Sequence, residues 1–117
     1  MPALVPSAEF VNVTHFRQVV GSVHRGQKLA VIFYEPMATP CWEPTTTFHA
    51  ASTDPVYAQN MMFFSINTSR KEEMEEVLEE LSVTFVPMVA FWDGNSWEKV
   101  TLKGQNDILA VLASHRG

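Results

Sequence analysis

Cysteine is the residue that this chain has least of. Its 117 residues include one cysteine, Cys41. A single cysteine excludes an internal disulfide, and it excludes a zinc site built on several thiolates. Because disulfide frameworks are typical of oxidising compartments, their absence makes a cytoplasmic location the expected one.

Long apolar runs and an excess of positive charge are also absent. The longest apolar runs fall far short of the roughly 20 residues of a membrane-spanning helix. Eight Lys and Arg residues are outnumbered by 13 Asp and Glu residues, and the formal net charge is −5. The first residues have neither the basic segment nor the apolar core of a secretory signal. We therefore expect neither nucleic acid nor a membrane as a partner.

Several motifs that carry chemistry are missing as well. The sequence has no glycine-rich phosphate loop, no paired-carboxylate signature and no nucleophile elbow. Its four histidines show no metal-binding spacing, and His49 would lie about 12 Å from Cys41 along an unbroken helix. We expect no metal site and no cofactor, with each histidine at the surface or at the edge of the core.

The most informative stretch present is V-I-F-Y-E-P-M-A-T-P-C-W-E, from Val31 to Glu43. Four large apolar residues, Val31 to Tyr34, predict a strand covered on both faces. A turn over Glu35 to Thr39 follows. Thr39 then suits the N-cap of a helix, and Pro40 suits its first position. Cys41 would then lie in the first helical turn, where the helix dipole favours a thiolate.

The remaining patterns predict one domain over residues 1–117, with an irregular lead-in over residues 1–8. The predicted strands are Phe10 to Val13, Leu29 to Tyr34, Met61 to Ile66, Met88 to Trp92 and Trp97 to Leu102. A turn at Asp93-Gly94-Asn95 makes the last two a hairpin.

Apolar stripes at helical spacing predict the helices between these strands. The first helix is expected to start at an N-cap Thr14, and the second to bend at Pro44 because proline cannot donate a backbone hydrogen bond. The third has capping-box form at Ser69, and the last is capped by Asn106. The stripes are Phe16, Val19, Val20 and Val23; Met74, Val77, Leu78 and Leu81; and Ile108, Val111, Leu112 and His115.

The order of these elements is βα, βα, βα and then ββα. Strands that alternate with helices imply parallel pairing, and the final hairpin adds an antiparallel edge. We therefore predict an α/β fold with three layers, in which helices flank a mixed central sheet. The third helix also has an acidic face, which is interpreted as a solvated surface or, less commonly, as a docking surface for a basic partner.

This order, with Thr39-Pro40-Cys41 after the second strand and Val86-Pro87 before the fourth, resembles the thioredoxin superfamily over roughly residues 8–116. The resemblance implies that Pro87 is cis and lies beside residues 38–41. It also implies that Val86 offers backbone groups to an extended peptide. Cys41 matches the family's second, resolving cysteine, and Gly104 matches a glycine near the binding groove.

The sequence departs from the family where the family does its chemistry. Ala38 replaces the first, nucleophilic cysteine, Met37 replaces a tryptophan, and Ile32 replaces a buried aspartate. A cysteine at position 38 would give C-T-P-C, so an engineered alanine is an alternative to divergence. Cys41 is then either a small, inert core residue or a single thiol that forms mixed disulfides.

Two hypotheses of function follow. The first is a thioredoxin-like adaptor without dithiol redox activity, which binds a protein or extended peptide in the groove beside Pro87. The second is a monothiol redox protein acting through Cys41, or an altered oxidoreductase. The residues expected to line the peptide site are Met37, Ala38, Thr39, Pro40, Trp42, Val86, Pro87 and Gly104.

Overall fold

The computed structural model describes residues 8–38, 41–102 and 107–115. These residues form five helices and four strands. They are α1 (Val13–Gly21), β1 (Lys28–Tyr34), α2 (Trp42–Ser52), α3 (Pro55–Ala58), β2 (Met61–Asn67), α4 (Lys71–Glu80), β3 (Met88–Trp92), β4 (Trp97–Thr101) and α5 (Asp107–His115).

The strands form a mixed sheet in the order β2-β1-β3-β4. β1 pairs in parallel with β2 and antiparallel with β3, and the hairpin of β3 and β4 adds the antiparallel edge. Gly94 closes that hairpin at φ +95°, a conformation that side chains disfavour. Helices flank the sheet, which confirms the predicted fold class.

The apolar run of β1 is buried because helices cover both of its faces. Alternate residues point to opposite faces of a strand. Leu29, Val31 and Phe33 join a core with α1 and α4, whereas Ala30 and Ile32 join a second core with α2 and α5. The helices supply the partners: Phe16, Met74 and Val77 on the first face, and Phe48, Ala51, Ile108 and Leu112 on the second. No helix of the described segments is long and apolar enough to cross a bilayer.

The start of the described chain corrects two predictions. The strand predicted over Phe10 to Val13 is absent, and only an isolated bridge between Glu9 and Ser65 extends the sheet there. α1 begins at Val13 because Asn12, rather than Thr14, is its N-cap. The Asn12 side chain accepts a hydrogen bond of 2.9 Å from the His15 backbone N–H.

Two further predictions about the helices are wrong. α2 runs unbroken from Trp42 to Ser52, because Pro44 falls in its first turn, where a missing N–H leaves no bond unmade. Ser69 forms no capping box: its hydroxyl donates to the Asn67 side chain, and Arg70 takes the N-cap position of α4 without a side-chain bond. Residues 1–7 and the cap at Asn106 lie outside the described residues.

Asn12 and Thr14 give a matched test of the start of α1. Asn12→Ala should lower the free energy of unfolding by about 0.5–2 kcal/mol, because the His15 N–H loses its cap. Thr14→Ala, inside the helix, should change it by less than about 0.5 kcal/mol. Urea unfolding followed by circular dichroism measures both. Equal effects would contradict the assignment of Asn12 as the cap.

Candidate functional site

The register of β1 against β3 brings two loop segments to one end of the sheet. Phe33 pairs with Met88, so the chain that leaves β1 through Glu35 runs beside the chain that enters β3 through Val86. The Val86–Pro87 peptide bond is cis, the geometry that the sequence resemblance implies. The two segments that the sequence predicts to form the site therefore lie at this end of the sheet.

The segment after β1 is a pair of tight turns. The Ala38 N–H donates to the Glu35 carbonyl at 3.0 Å, and the Cys41 N–H donates to the Ala38 carbonyl at 2.9 Å. The Glu35 carboxylate also accepts from the Met37 N–H at 3.0 Å. This folding leaves the Met37 side chain 88% exposed on the outside of the turn.

Cys41 lies beneath these turns with no exposed surface. Its Sγ accepts a hydrogen bond of 3.4 Å from the Glu35 N–H, which favours the thiolate. Burial outweighs that bond and raises the pKa of the Cys41 thiol above its ordinary value, and the Glu35 charge adds to the rise. Cys41 is the N-cap of α2 rather than a residue of its first turn, and burial outweighs any effect of this position, so the expected thiolate is not supported.

Trp42 stabilises the turn from its inner side, and Ile32 lies in the core. The Trp42 indole N–H donates to the Pro36 carbonyl at 2.7 Å, so this half-buried ring holds the turn in place. Ile32, at the position of the family's buried aspartate, is fully buried in the core that contains Phe48. An apolar core thus occupies the place where the family has a carboxylate.

Outside the turn, a cavity of about 240 Å³ separates the Glu35 segment from the Val86 segment. Phe85, which belongs to no motif of the sequence, lines this cavity although its side chain is 70% exposed. Among the described residues, the Val86 backbone N–H and carbonyl form no hydrogen bond with the protein. The lining residues are Glu35, Thr68, Lys71, Leu78, Val83, Thr84, Phe85 and Val86.

A second cavity, of about 510 Å³, adjoins the first along α4. The two cavities share Lys71, Leu78, Val83 and Thr84. Glu75, Glu79 and Ser82 complete the lining of the second cavity. We call the pair of cavities the α4 groove, which runs from Glu79 to Glu35.

The end of α4 gives the groove its floor. Ser82 has the left-handed conformation, with φ +51°, and the Val83 N–H donates to the Leu78 carbonyl at 2.9 Å. Together with the bond from the Ser82 N–H to the Glu79 carbonyl, this is a Schellman motif, which typically brings the residues at the Leu78 and Val83 positions together. Lys99 donates to the Leu81 carbonyl at 2.9 Å and so stabilises the same helix end.

Other candidate residues lie elsewhere or outside the described part of the chain. Thr39, Pro40 and Gly104, predicted to line the peptide site, fall in segments that are not described. His115 stacks on Phe91 and pairs with Glu98, and His15 packs edge-on to Phe10. Within residues 8–38, 41–102 and 107–115, no group of three or more His, Cys, Asp or Glu residues could hold a metal ion.

Comparison with solved structures identifies the fold. Thioredoxin from Malassezia sympodialis superposes with a TM-score of 0.76 at 18% identity, over 97% of this chain and 96% of that one. Thioredoxin NaTrxh from Nicotiana alata gives 0.79 at 17% identity over the whole of both chains. Spinach chloroplast thioredoxin f gives 0.76 at 18% identity over 97% of each chain. No protein-family model matches the sequence, and no curated protein sequence is significantly similar to it. The chain therefore has the thioredoxin fold.

The burial of Cys41 predicts a slow thiol. Because a bulky aromatic disulfide reagent needs local opening to reach the sulfur, the native protein should react at least about tenfold more slowly than the denatured protein. The pH midpoint of the native reaction should lie above 9.0, the ordinary pKa of the thiol. Absorbance of the released thiol measures the rate.

A matched control for this reaction is Met37→Cys in a Cys41→Ala background, which places an exposed thiol on the same turn. Its rate should be similar in the native and denatured proteins. If native Cys41 reacts as fast as this control, the thiol is accessible and Cys41 is not an inert core residue.

Proposed function

We propose that this chain is a cytoplasmic protein-binding or adaptor domain that holds an extended peptide beside Pro87 and has no dithiol redox activity. The observation that carries the proposal is the contrast at one end of the sheet. Its only thiol is sealed beneath the turn, while Met37 and Phe85 remain exposed above it. The thiol is inaccessible to a substrate, whereas the exposed apolar side chains are available for contact with a peptide.

Dithiol exchange needs two sulfur atoms at this turn. A thiolate attacks the substrate disulfide, and a second thiol then resolves the mixed disulfide. Ala38 supplies no sulfur for the first step. Cys41 is also poorly suited to replace it, because the thiol is buried and burial raises its pKa. This argues equally against the alternative of a monothiol redox protein.

Peptide binding needs groups that an extended chain can contact. The Val86 N–H can donate, and the Val86 carbonyl can accept, a main-chain hydrogen bond of an added strand, because neither is bonded to the described part of the protein. Exposed apolar side chains such as Phe85 supply the contact area that gives such an interaction its affinity. The cavity beside Val86 offers a place for one side chain of the peptide.

Peptide selection with single-residue variants tests this function. Peptides of about ten residues would be selected from a random display library, and their Kd measured by calorimetry. Met37→Ala and Phe85→Ala should each weaken the selected peptides by about five- to thirtyfold, the effect of losing 1–2 kcal/mol of contact.

Val56→Ala is the matched control. Val56 is 54% exposed, and α3 precedes the start of β2 at the opposite end of the sheet. This variant should leave the Kd unchanged. Equal weakening by all three substitutions, or selection of peptides that ignore Met37 and Phe85, would contradict the proposed site.

Restoring a cysteine at position 38 tests the loss of redox activity. The bond between the Cys41 N–H and the Ala38 carbonyl places both residues in one turn, within disulfide reach. Ala38→Cys should form a disulfide on mild oxidation but reduce a protein disulfide slowly. Ile32 provides no carboxylate for the proton of Cys41, and general acid–base help contributes about 10²–10⁴-fold.

Adding Ile32→Asp to Ala38→Cys should increase the rate of reduction, despite the cost of burying a carboxylate. The double variant Ala38→Ser with Ile32→Asp is the control and should remain inactive. Thioredoxin-like turnover from Ala38→Cys alone would show an otherwise intact redox site. The alanine would then be a simple knock-out, and the adaptor function would be wrong.

A further inference from the structure

We infer that the α4 groove selects a basic partner, an extended protein segment in which an apolar residue is flanked by Lys or Arg. This inference rests on the proposed peptide-binding function and names the class of partner. The groove begins at Val86, where the proposed peptide binds, and continues past Leu78 to Glu79. A peptide held at Val86 can therefore extend along α4.

The charge of the chain is concentrated on this helix. Six of the ten residues of α4 are glutamates and one is a lysine. The formal charge of α4 therefore equals the net charge of the whole chain, −5. The charges of the remaining residues cancel, so α4 carries the excess of negative charge that would attract a basic segment.

The carboxylates of the groove remain available to a ligand. Among the described residues that line it, Glu35, Glu75 and Glu79 are accompanied by one cation, Lys71. Within the described residues, neither Glu75 nor Glu79 forms a salt bridge, whereas Glu80, which lies outside the groove lining, pairs with Arg17. The acidic charge of Glu75 and Glu79 is thus not neutralised by a salt bridge among the described residues.

The position of these glutamates makes a cation favourable there. Glu75 and Glu79 are four residues apart, so their like charges repel on one helix face. Glu79 also lies in the last turn of α4, where the helix dipole disfavours negative charge. A Lys or Arg side chain between them relieves both effects. Leu78, Val83 and Phe85 provide the adjoining apolar contact.

The test compares three labelled peptides of about ten residues: a leucine flanked by two arginines, by two glutamines or by two glutamates. Nuclear magnetic resonance of the ¹⁵N-labelled protein reports which amides each peptide shifts. The arginine peptide should shift the amides of Glu75 to Glu79 as well as those of Thr84 to Val86, and bind at least about tenfold more tightly than the glutamate peptide. Its affinity should fall as NaCl rises from about 0.05 M to about 0.5 M.

Two double variants distinguish the effect of the groove glutamates on binding from the effect of the overall charge of α4. Glu75→Gln with Glu79→Gln should weaken the arginine peptide by about three- to tenfold. Glu72→Gln with Glu76→Gln has the same charge change and the same spacing but lies outside the groove lining, and should change the Kd by less than about twofold. Equal weakening by both pairs would overturn the inference, because only the general field of α4 would then matter.

The peptides also distinguish the two proposals. If the glutamine peptide shifts Thr84 to Val86 and the arginine peptide shifts nothing further, the α4 groove is not used and this inference is wrong, while the proposed function stands. If no peptide shifts the Val86 segment, the proposed function fails. Shifts along Glu75 to Glu79 that depend on arginine and on both groove glutamates support the inference.

Discussion

The burial of β1 on both faces is the constraint from which the rest of the structure follows. Leu29, Val31 and Phe33 need an apolar cover on one side of the sheet, and Ala30 and Ile32 need one on the other. Four amphipathic helices satisfy this need in pairs, and β2 and β3 satisfy the backbone hydrogen bonds of β1. Because β3 pairs antiparallel with β1, the turn that follows β1 emerges beside the segment that enters β3. The candidate site is therefore a consequence of the sheet order.

Periodicity predicted the features that depend on burial. A run of apolar residues or a stripe at helical spacing is the direct signature of a face that must leave water, so the central strands, the hairpin and the helical stripes agree with the structure. The start of a helix depends on one local hydrogen bond instead. Asn12 and Thr14 are both suitable caps two residues apart, and the sequence contains no signal for which of them reaches an N–H. Ser69 failed as a cap for a similar reason, because Asn67 captured its hydroxyl.

Only the parts of the candidate site that form local sequence motifs could be predicted. The turn after β1 and the Val86–Pro87 dipeptide stand out in the sequence, but the α4 groove does not. Its floor depends on a Schellman motif at Ser82, and the usual sequence signal for that motif is glycine. Phe85 alternates with Val83 before a strand, a pattern that predicts burial as readily as the exposure observed. Glu35 joins the site through sheet register, a property of chain pairing that no local pattern contains.

The positions of energetically unfavourable groups distinguish a redox site from a binding site in this fold. A dithiol centre needs an accessible thiolate of low pKa at the turn, and in the family that the sequence resembles a buried aspartate accompanies it. Here Ile32 lies in the core that contains Phe48, Cys41 is buried with a pKa that burial raises, and Ala38 has no thiol. The unfavourable features lie instead on α4, where glutamates repel one another and extend into the last turn, with Ser82 in a left-handed conformation beyond it. A ligand of opposite charge would relieve this repulsion at the groove. This is the physical basis of the proposed recognition of a basic segment.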